Sequence, residues 1–175
     1  MRAGLLDRAE NLFRELKDTK LHVKPALENL LVIYEKESDW QACLDVAEQL
    51  ESLTGREMLL QKAHYHCELA LAAQSADRIA DATVHLKKAL STDGSCVRAN
   101  HLQALFAAAD GDYRVAIKLL QQTLAQDGAY LLEVLPQIVA NYRQLGEREE
   151  LSNYLREIAD RHPGLGAELA LVDLI

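Results

Sequence analysis

The chain has 175 residues, of which 49% are hydrophobic, 26% charged and 5% aromatic, and its formal net charge is −8. Leucine and alanine, which favour helices, dominate the apolar residues, whereas the β-branched and aromatic residues typical of strands are scarce. The composition therefore excludes a β-sandwich, a disordered tail and a disulfide scaffold, and 27 acidic against 19 basic residues provide no basic face for nucleic acid.

The three cysteines are Cys43, Cys67 and Cys96, and no two of them form a CxxC pair. An odd number of widely spaced cysteines indicates neither a disulfide framework nor a cysteine metal site, and it predicts a reducing compartment. The longest uncharged stretch, around Ala99–Ala109, spans 11 residues. Because a membrane-spanning helix needs about 20, we expect no membrane span and no signal peptide in this chain.

Turn-forming residues recur along the chain at a nearly constant interval. Their spacings are 34, 39, 34 and 35 residues, and they stand at Gly4, Ser38, Asp77, Gly111 and Gly146. Small or apolar residues follow each turn after about five, nine and twelve residues, which is the periodicity of one helix face. A second amphipathic pattern precedes the turns, as Leu30 and Tyr34 precede Ser38. Each unit is therefore predicted to be a helix A, a tight turn and a helix B.

This unit resembles the tetratricopeptide repeat (TPR), whose period is 34 residues. The turn glycine, the tyrosine two residues later and the alanine five residues later match that family in Gly111, Tyr113 and Ala116, and Pro163 matches its terminal proline. The resemblance implies an all-α fold, a TPR-type α-solenoid of antiparallel helix pairs forming a right-handed superhelix. We expect a single array over residues 1–175, with units at roughly 1–24 (partial), 25–54, 55–95, 96–129, 130–163 and 164–175 (partial).

The 39-residue interval predicts one elongated helix A in the third unit. The sequence Thr54–Glu57 matches a capping box, so this helix is predicted to run from near residue 55 to about residue 75. Further along the chain, Asp112 follows a turn glycine and is predicted to cap the next helix B. Pro136 is predicted to lie in the first turn of the following helix A, where its missing N–H costs nothing.

Both ends of the array are predicted to be incomplete. The chain opens at the predicted turn Gly4, and Ala167–Ile175 has the pattern of a helix A without its helix B. Repeat arrays need polar caps, whereas Leu171, Val172 and Leu174 are apolar. We interpret the chain as a fragment of a longer protein, or as one that pairs its apolar ends in a homo-oligomer.

Several stretches carry a closer resemblance than the repeat alone. They are Gly4–Phe13, Ala63–Ala70, Gly111–Ala116, Tyr142–Gly146 and Ala167–Asp173. Together they resemble the lipopolysaccharide assembly protein B (LapB, or YciM) family of Gram-negative bacteria, in its TPR region only.

The resemblance implies a role and a location. The family combines an N-terminal membrane anchor, a TPR array and a C-terminal rubredoxin-type iron or zinc domain, on the cytoplasmic side of the inner membrane. It is understood to promote proteolysis of the LpxC deacetylase by the FtsH protease. This chain departs from the family at both ends, having neither an anchor nor CxxC pairs, so we expect no cofactor within it.

The sharpest local cluster of reactive side chains is His64, His66 and Cys67. On a helix His64 and Cys67 share a face, whereas His66 points elsewhere, and no second cluster supplies further ligands. We therefore predict no metal site. No cysteine-enzyme signature or phosphate-binding loop is present either, so no catalytic residues are predicted and the chain is not expected to be an enzyme.

A TPR stack presents a concave groove lined by helix A, and positions 2, 5, 6, 9, 12 and 13 of each unit usually face it. The polar residues at these positions are our candidate binding residues: Glu28, Asn29, Glu35, Lys36, His64, Glu68, Gln74, Arg98, His101, Gln137 and Arg143. The lysine and asparagine with which chaperone-type TPRs hold a peptide carboxylate are missing, because the second unit has Glu28 and Val32 at those positions.

Three functions follow from these observations. The resemblance favours a non-enzymatic adaptor whose partners are FtsH and LpxC. A general TPR peptide-binding module in another pathway is the first alternative, and a homo-oligomerising structural segment is the second.

Overall fold

The computed structural model describes residues 3–18 and 22–161 of the chain. These ranges contain nine α-helices and no strand, so the predicted all-α fold is confirmed. The helices are α1 (Ala3–Asp18), α2 (Val23–Glu37), α3 (Trp40–Thr54), α4 (Leu59–Ser75), α5 (Ile79–Thr92), α6 (Val97–Ala109), α7 (Tyr113–Gln126), α8 (Leu131–Leu145) and α9 (Arg148–Arg161), with a 3-10 helix, Gly128–Tyr130, directly before α8. None of the described helices is long and apolar enough to span a lipid bilayer.

The chain forms two compact units, residues 1–94 and 95–175. Their border lies one residue before the predicted boundary between the third and fourth repeats. In the first unit α2 pairs with α3 and α4 with α5, while α1 packs on α2. In the second unit α6 pairs with α7 and α8 with α9. Because turns of two or three residues join the two helices of each pair, the pairs are antiparallel hairpins of the TPR type.

The four predicted turns inside the helix pairs share one backbone conformation. One residue in each turn, the first or second after helix A, is left-handed, with φ of 58°, 58°, 85° and 72° at Ser38, Asp77, Gly111 and Gly146 respectively. In each turn the following N–H donates to a carbonyl five residues back, as Asp112 N donates to Ala107 O at 2.8 Å. This is the Schellman arrangement, which satisfies the last carbonyls of helix A and reverses the chain.

The positions predicted to lie inside each helix pair are buried. Residues five after the turns are at most 1% exposed, and they are Cys43, Ala82, Ala116 and Leu151. Residues nine after the turns are equally buried: Ala47, Leu86, Leu120 and Leu155. In the pairs α4–α5 and α6–α7, the small Ala82 and Ala116 allow close approach of the two helices, and the larger Leu86 and Leu120 fill the space beyond them.

The capping box predicted at Thr54–Glu57 is wrong. Thr54 is the last residue of α3, where its hydroxyl donates to the Leu50 carbonyl at 2.6 Å, and Gly55 ends that helix with a φ of 67°. The same residues that could open a helix instead close one, because a glycine after a helix readily takes the left-handed conformation.

The elongated helix A of the third unit is α4, which has 17 residues and is the longest of the described helices. It begins at Leu59, later than predicted. The carboxylate of Glu51 on α3 takes the place of the expected cap, since it accepts the Met58 N–H at 2.6 Å and the Lys62 ammonium at 2.7 Å. The Lys62 hydrogen bond, with that of Met58, lowers the pKa of Glu51.

Two further local predictions need correction. Gly4 lies within α1 and forms no turn. Pro136 is the sixth residue of α8 and lies in its second turn, because that helix begins at Leu131. The proline therefore leaves the Leu132 carbonyl without its helical donor, but Leu132 is 69% exposed and water can supply one.

Asp112 does occupy the N-cap of α7, without a side-chain hydrogen bond to the helix. The predictions for Pro163 and Ala167–Ile175 lie outside the described residues.

Candidate functional site

Each compact unit has a candidate surface, its helix-A face, which we define as repeat positions 2, 5, 6, 9, 12 and 13 on α2 and α4 of the first unit and on α6 and α8 of the second. Position 9, six residues before each turn, is apolar in every complete unit, as Val32, Leu71, Leu105 and Ala140. Val32 is 47% exposed and Leu105 is 40% exposed. Position 9 is therefore apolar in every complete unit, and it is exposed to solvent at Val32 and Leu105.

In the first compact unit, an aromatic cluster connects α2, α3 and α4. Tyr65 is 1% exposed, and its hydroxyl donates to Glu35 Oε1 at 2.6 Å. Burial and this carboxylate raise the pKa of Tyr65 well above its usual range. The Trp40 ring stacks on Tyr65 with centroids 6.1 Å apart, and the His64 ring meets Trp40 edge-on at 6.0 Å. Glu35 and His64, both predicted site residues, thus lie on one cluster.

The other predicted residues of this unit are held mainly by their own helix. Glu28 lies 3.7 Å from Lys24, and Asn29 donates to the Pro25 carbonyl at 2.7 Å. Glu68 lies 3.8 Å from His64. Lys36 is exposed on α2 and Gln74 is partly buried on α4.

The second compact unit contains a groove of about 290 Å³ between α6 and α8. Apolar residues of α6 and α7 and carboxamides of α8 line it, namely Leu105, Ala108, Tyr113, Gln137, Asn141 and Gln144. Asn141 is only 6% exposed, and its Nδ2 donates to the Gln137 carbonyl at 2.7 Å. The groove therefore offers an apolar wall beside carboxamides, of which that of Asn141 is fixed by its hydrogen bond.

A buried histidine on α6 connects this helix to α8. His101 is 7% exposed, its Nε2 lies 3.0 Å from Gln137 Oε1, and its Nδ1 lies 3.5 Å from Glu133 Oε1. Because an amide oxygen only accepts, Nε2 carries the proton in this arrangement. His101 thus orients Gln137 toward α6, while Arg98 is partly buried on α6 and Arg143 is exposed on α8.

The structure therefore brings together Glu35 with His64 and Glu68, and separately His101 with Gln137. The sequence analysis missed Asn141 because it lies at repeat position 10, outside the positions considered, and it omitted Gln144 although that residue lies at position 13. The apolar residue that recurs at position 9 of each complete unit is a sequence signal that could have indicated Leu105.

No protein-family model matches the chain. Among curated proteins it is 36% identical over all 175 residues to lipopolysaccharide assembly protein B of Escherichia coli strain K12. It is 34% identical, again over all 175 residues, to the protein of that name from Haemophilus influenzae strain Rd. The chain spans 45% and 44% of the lengths of these two relatives. The predicted resemblance to this family is confirmed.

Among solved structures, the chain is similar to a crystal structure of MamA, with a TM-score of 0.58 and 18% sequence identity. The match covers 93% of this chain and 85% of MamA. At this identity the similarity concerns the fold alone.

Proposed function

We propose that this chain is a non-enzymatic scaffold that binds an extended segment of a partner protein on the helix-A face of its second compact unit. The observation that carries the proposal is the groove between α6 and α8. A peptide presents alternating apolar side chains and backbone amides, and the groove pairs Leu105 and Ala108 with the carboxamides of Gln137 and Gln144. A carboxamide can both donate to a peptide carbonyl and accept from a peptide N–H.

The groove residues are preorganised for such a ligand. The Asn141 amide is tied to the Gln137 carbonyl, and the Gln137 Nε2 donates to the Glu133 carbonyl at 3.1 Å. His101 holds the oxygen of the same Gln137 side chain. Side chains that are already fixed lose less conformational entropy when a ligand binds, so more of the contact energy contributes to affinity.

We further propose, from the likeness to lipopolysaccharide assembly protein B, that the partners belong to the control of lipopolysaccharide synthesis. The LpxC deacetylase and the FtsH protease are the candidates, with the scaffold favouring proteolysis of the first by the second. The site of action would then be the cytoplasmic side of the inner membrane. Because the chain spans less than half of its curated relatives, their remaining segments can contribute to the same task.

The test is a titration of the chain against purified LpxC and against the cytosolic region of FtsH, in which binding is measured by biolayer interferometry. Leu105→Lys places a charge on the groove wall, and Val115→Lys is its matched control, since Val115 is 51% exposed on α7 and does not line the groove. We expect saturable binding to at least one partner, weakened about tenfold or more by Leu105→Lys and unchanged by Val115→Lys.

The outcomes separate the alternatives. If neither partner binds the wild-type chain, the assignment to lipopolysaccharide control fails. If an unrelated extended peptide then binds and Leu105→Lys abolishes that binding, the chain is a general peptide-binding module. If Leu105→Lys and Val115→Lys bind a partner equally well, the groove is not the binding site.

A further inference from the structure

His66 and His85 meet between α4 and α5, outside the helix-A groove of the proposed function. Their Nδ1 atoms are 3.4 Å apart and share a hydrogen bond in which one ring donates its Nδ1–H to the other. The ring centroids are 5.6 Å apart, with the planes inclined at 36°. Both side chains are partly buried. Since α4 and α5 are the two helices of one repeat, the pair connects the two halves of a hairpin. The sequence analysis grouped His66 with His64 and Cys67 and did not include His85, nineteen residues away.

Burial disfavours the charged form of both imidazoles. Burial, with the charges of His85, Lys88 and Lys62, lowers the pKa of His66 to about 4. Burial and Lys88 likewise lower the pKa of His85, against the opposing effect of Asp81. A neutral imidazole has a lone pair on one ring nitrogen, and that nitrogen can bind a metal ion.

The separation of the two nitrogens matches one metal geometry. Zn–N bonds of about 2.0–2.1 Å at a tetrahedral angle place two ligand nitrogens about 3.3–3.4 Å apart. Neighbouring ligands in a square-planar site with bonds of about 2.0 Å are about 2.8 Å apart, which does not fit. We propose that His66 and His85 form a two-histidine site for Zn²⁺, bound through both Nδ1 atoms with water in the remaining positions.

The surroundings set the expected strength of this site. The described residues contain no group of three or more His, Cys, Asp or Glu side chains placed to hold a metal, so the protein supplies two ligands. Of the nearby cations, Lys62 is neutralised by Glu51 at 2.7 Å and Arg78 lies 3.3 Å from Asp81. Lys88, whose charge lowers the pKa of both histidines, remains nearby and disfavours a cation, so weak but saturable binding is expected. On binding, the ring that donates the Nδ1–H shifts its proton to Nε2 through solvent, so the net proton count does not change.

The experiment is a calorimetric titration of the 175-residue chain with ZnCl₂ at pH 7. The test variants are His66→Gln and His85→Gln, and His64→Gln is the matched control, because His64 is an exposed histidine on the same helix. We expect one Zn²⁺ per chain, at least tenfold weaker binding in each test variant and unchanged binding in the control. Circular dichroism at 222 nm verifies that the variants are folded.

Nitrogen NMR of the histidine rings provides a readout that needs no substitution. Zinc should shift the Nδ1 resonances of His66 and His85 and leave those of His22 and His101 in place. The proposal is overturned if the wild-type chain shows no saturable 1:1 binding below millimolar zinc. It is equally overturned if both test variants bind like wild type or if the Nδ1 resonances of the pair do not move.

Discussion

The turn at Gly146 allows the free-energy cost of its left-handed backbone conformation to be measured without a steric clash. Gly146 has a φ of 72°, and a methyl group added at its Cα would meet no atom within 4 Å. Gly146→Ala therefore changes the backbone preference without creating a clash. A left-handed conformation costs a residue with a Cβ about 1–2 kcal/mol. The alanine also restricts the unfolded chain, which returns about 0.4–1 kcal/mol, so we expect a net loss of about 1 kcal/mol.

The matched control is Gly94→Ala. Gly94 does not have a left-handed φ, and its added methyl group would meet only the Leu90 carbonyl oxygen at 3.9 Å, an ordinary contact. Only the unfolded-chain effect remains in this variant, so its free energy of unfolding should be unchanged or slightly higher than that of wild type. A third variant, Gly146→Asn, should fall between the other two because asparagine tolerates the left-handed region better than alanine.

The assay is urea unfolding at pH 7, monitored by circular dichroism at 222 nm, with the free energy obtained by linear extrapolation. A Gly146→Ala chain as stable as wild type, or the same change in both alanine variants, would refute the left-handed turn as the cause. Ser38 and Asp77 occupy the equivalent positions with φ of 58°, so Asp77→Gly should stabilise its own turn.

Further expectations concern hydrogen bonds and pH. Tyr65→Phe removes the 2.6 Å bond to Glu35 and should lower the free energy of unfolding by about 1 kcal/mol, whereas an unchanged urea midpoint would show that this bond is not stabilising. The folded-state pKa of His66 is about 4, below the ordinary value of 6.5, so the unfolded chain binds more protons between these values. Stability contributed by neutral His66 is therefore lost as pH falls from about 6.5 to 4, and His66→Gln should flatten this dependence in urea titrations. The hydrogen bond from Lys62 lowers the pKa of Glu51 in the folded state, so this contact stabilises the fold above the ordinary carboxyl pKa of 4.5. That stability is lost as the pH falls through the folded-state pKa of Glu51. Lys62→Met should therefore make the free energy of unfolding less sensitive to acid below pH 4.5, and an unaltered dependence on pH would contradict this.

The parts of the fold that depend on local patterns were predictable. A left-handed turn and the small residue five positions later leave a direct mark in the sequence, and Gly111 with Ala116 is an example. Helix boundaries failed where one motif has two meanings. Thr54–Glu57 resembles a helix start, but the hydroxyl of Thr54 has a nearer acceptor in the helix that it ends.

The site could be predicted only in part, because its contacts join residues of different helices. The sequence indicated which face of helix A would carry binding residues, and Gln137 does line the groove. It could not indicate that His101, 36 residues earlier, is buried against Gln137, or that Glu35 accepts from Tyr65. Such pairs depend on how successive hairpins stack, and the repeat period alone does not determine the rotation of each helix about its axis.

Methyl NMR of the chain with and without a bound partner tests the central claim, that the helix-A groove between α6 and α8 receives the ligand. Titration with LpxC or the FtsH cytosolic region should shift or broaden the methyl signals of Leu105, Ala108 and Ala140, which line the groove. The methyl signals of Val115, exposed on α7 away from the groove, should remain unchanged. Binding that shifts Val115 and leaves Leu105, Ala108 and Ala140 unaffected would place the ligand on another face and contradict the claim.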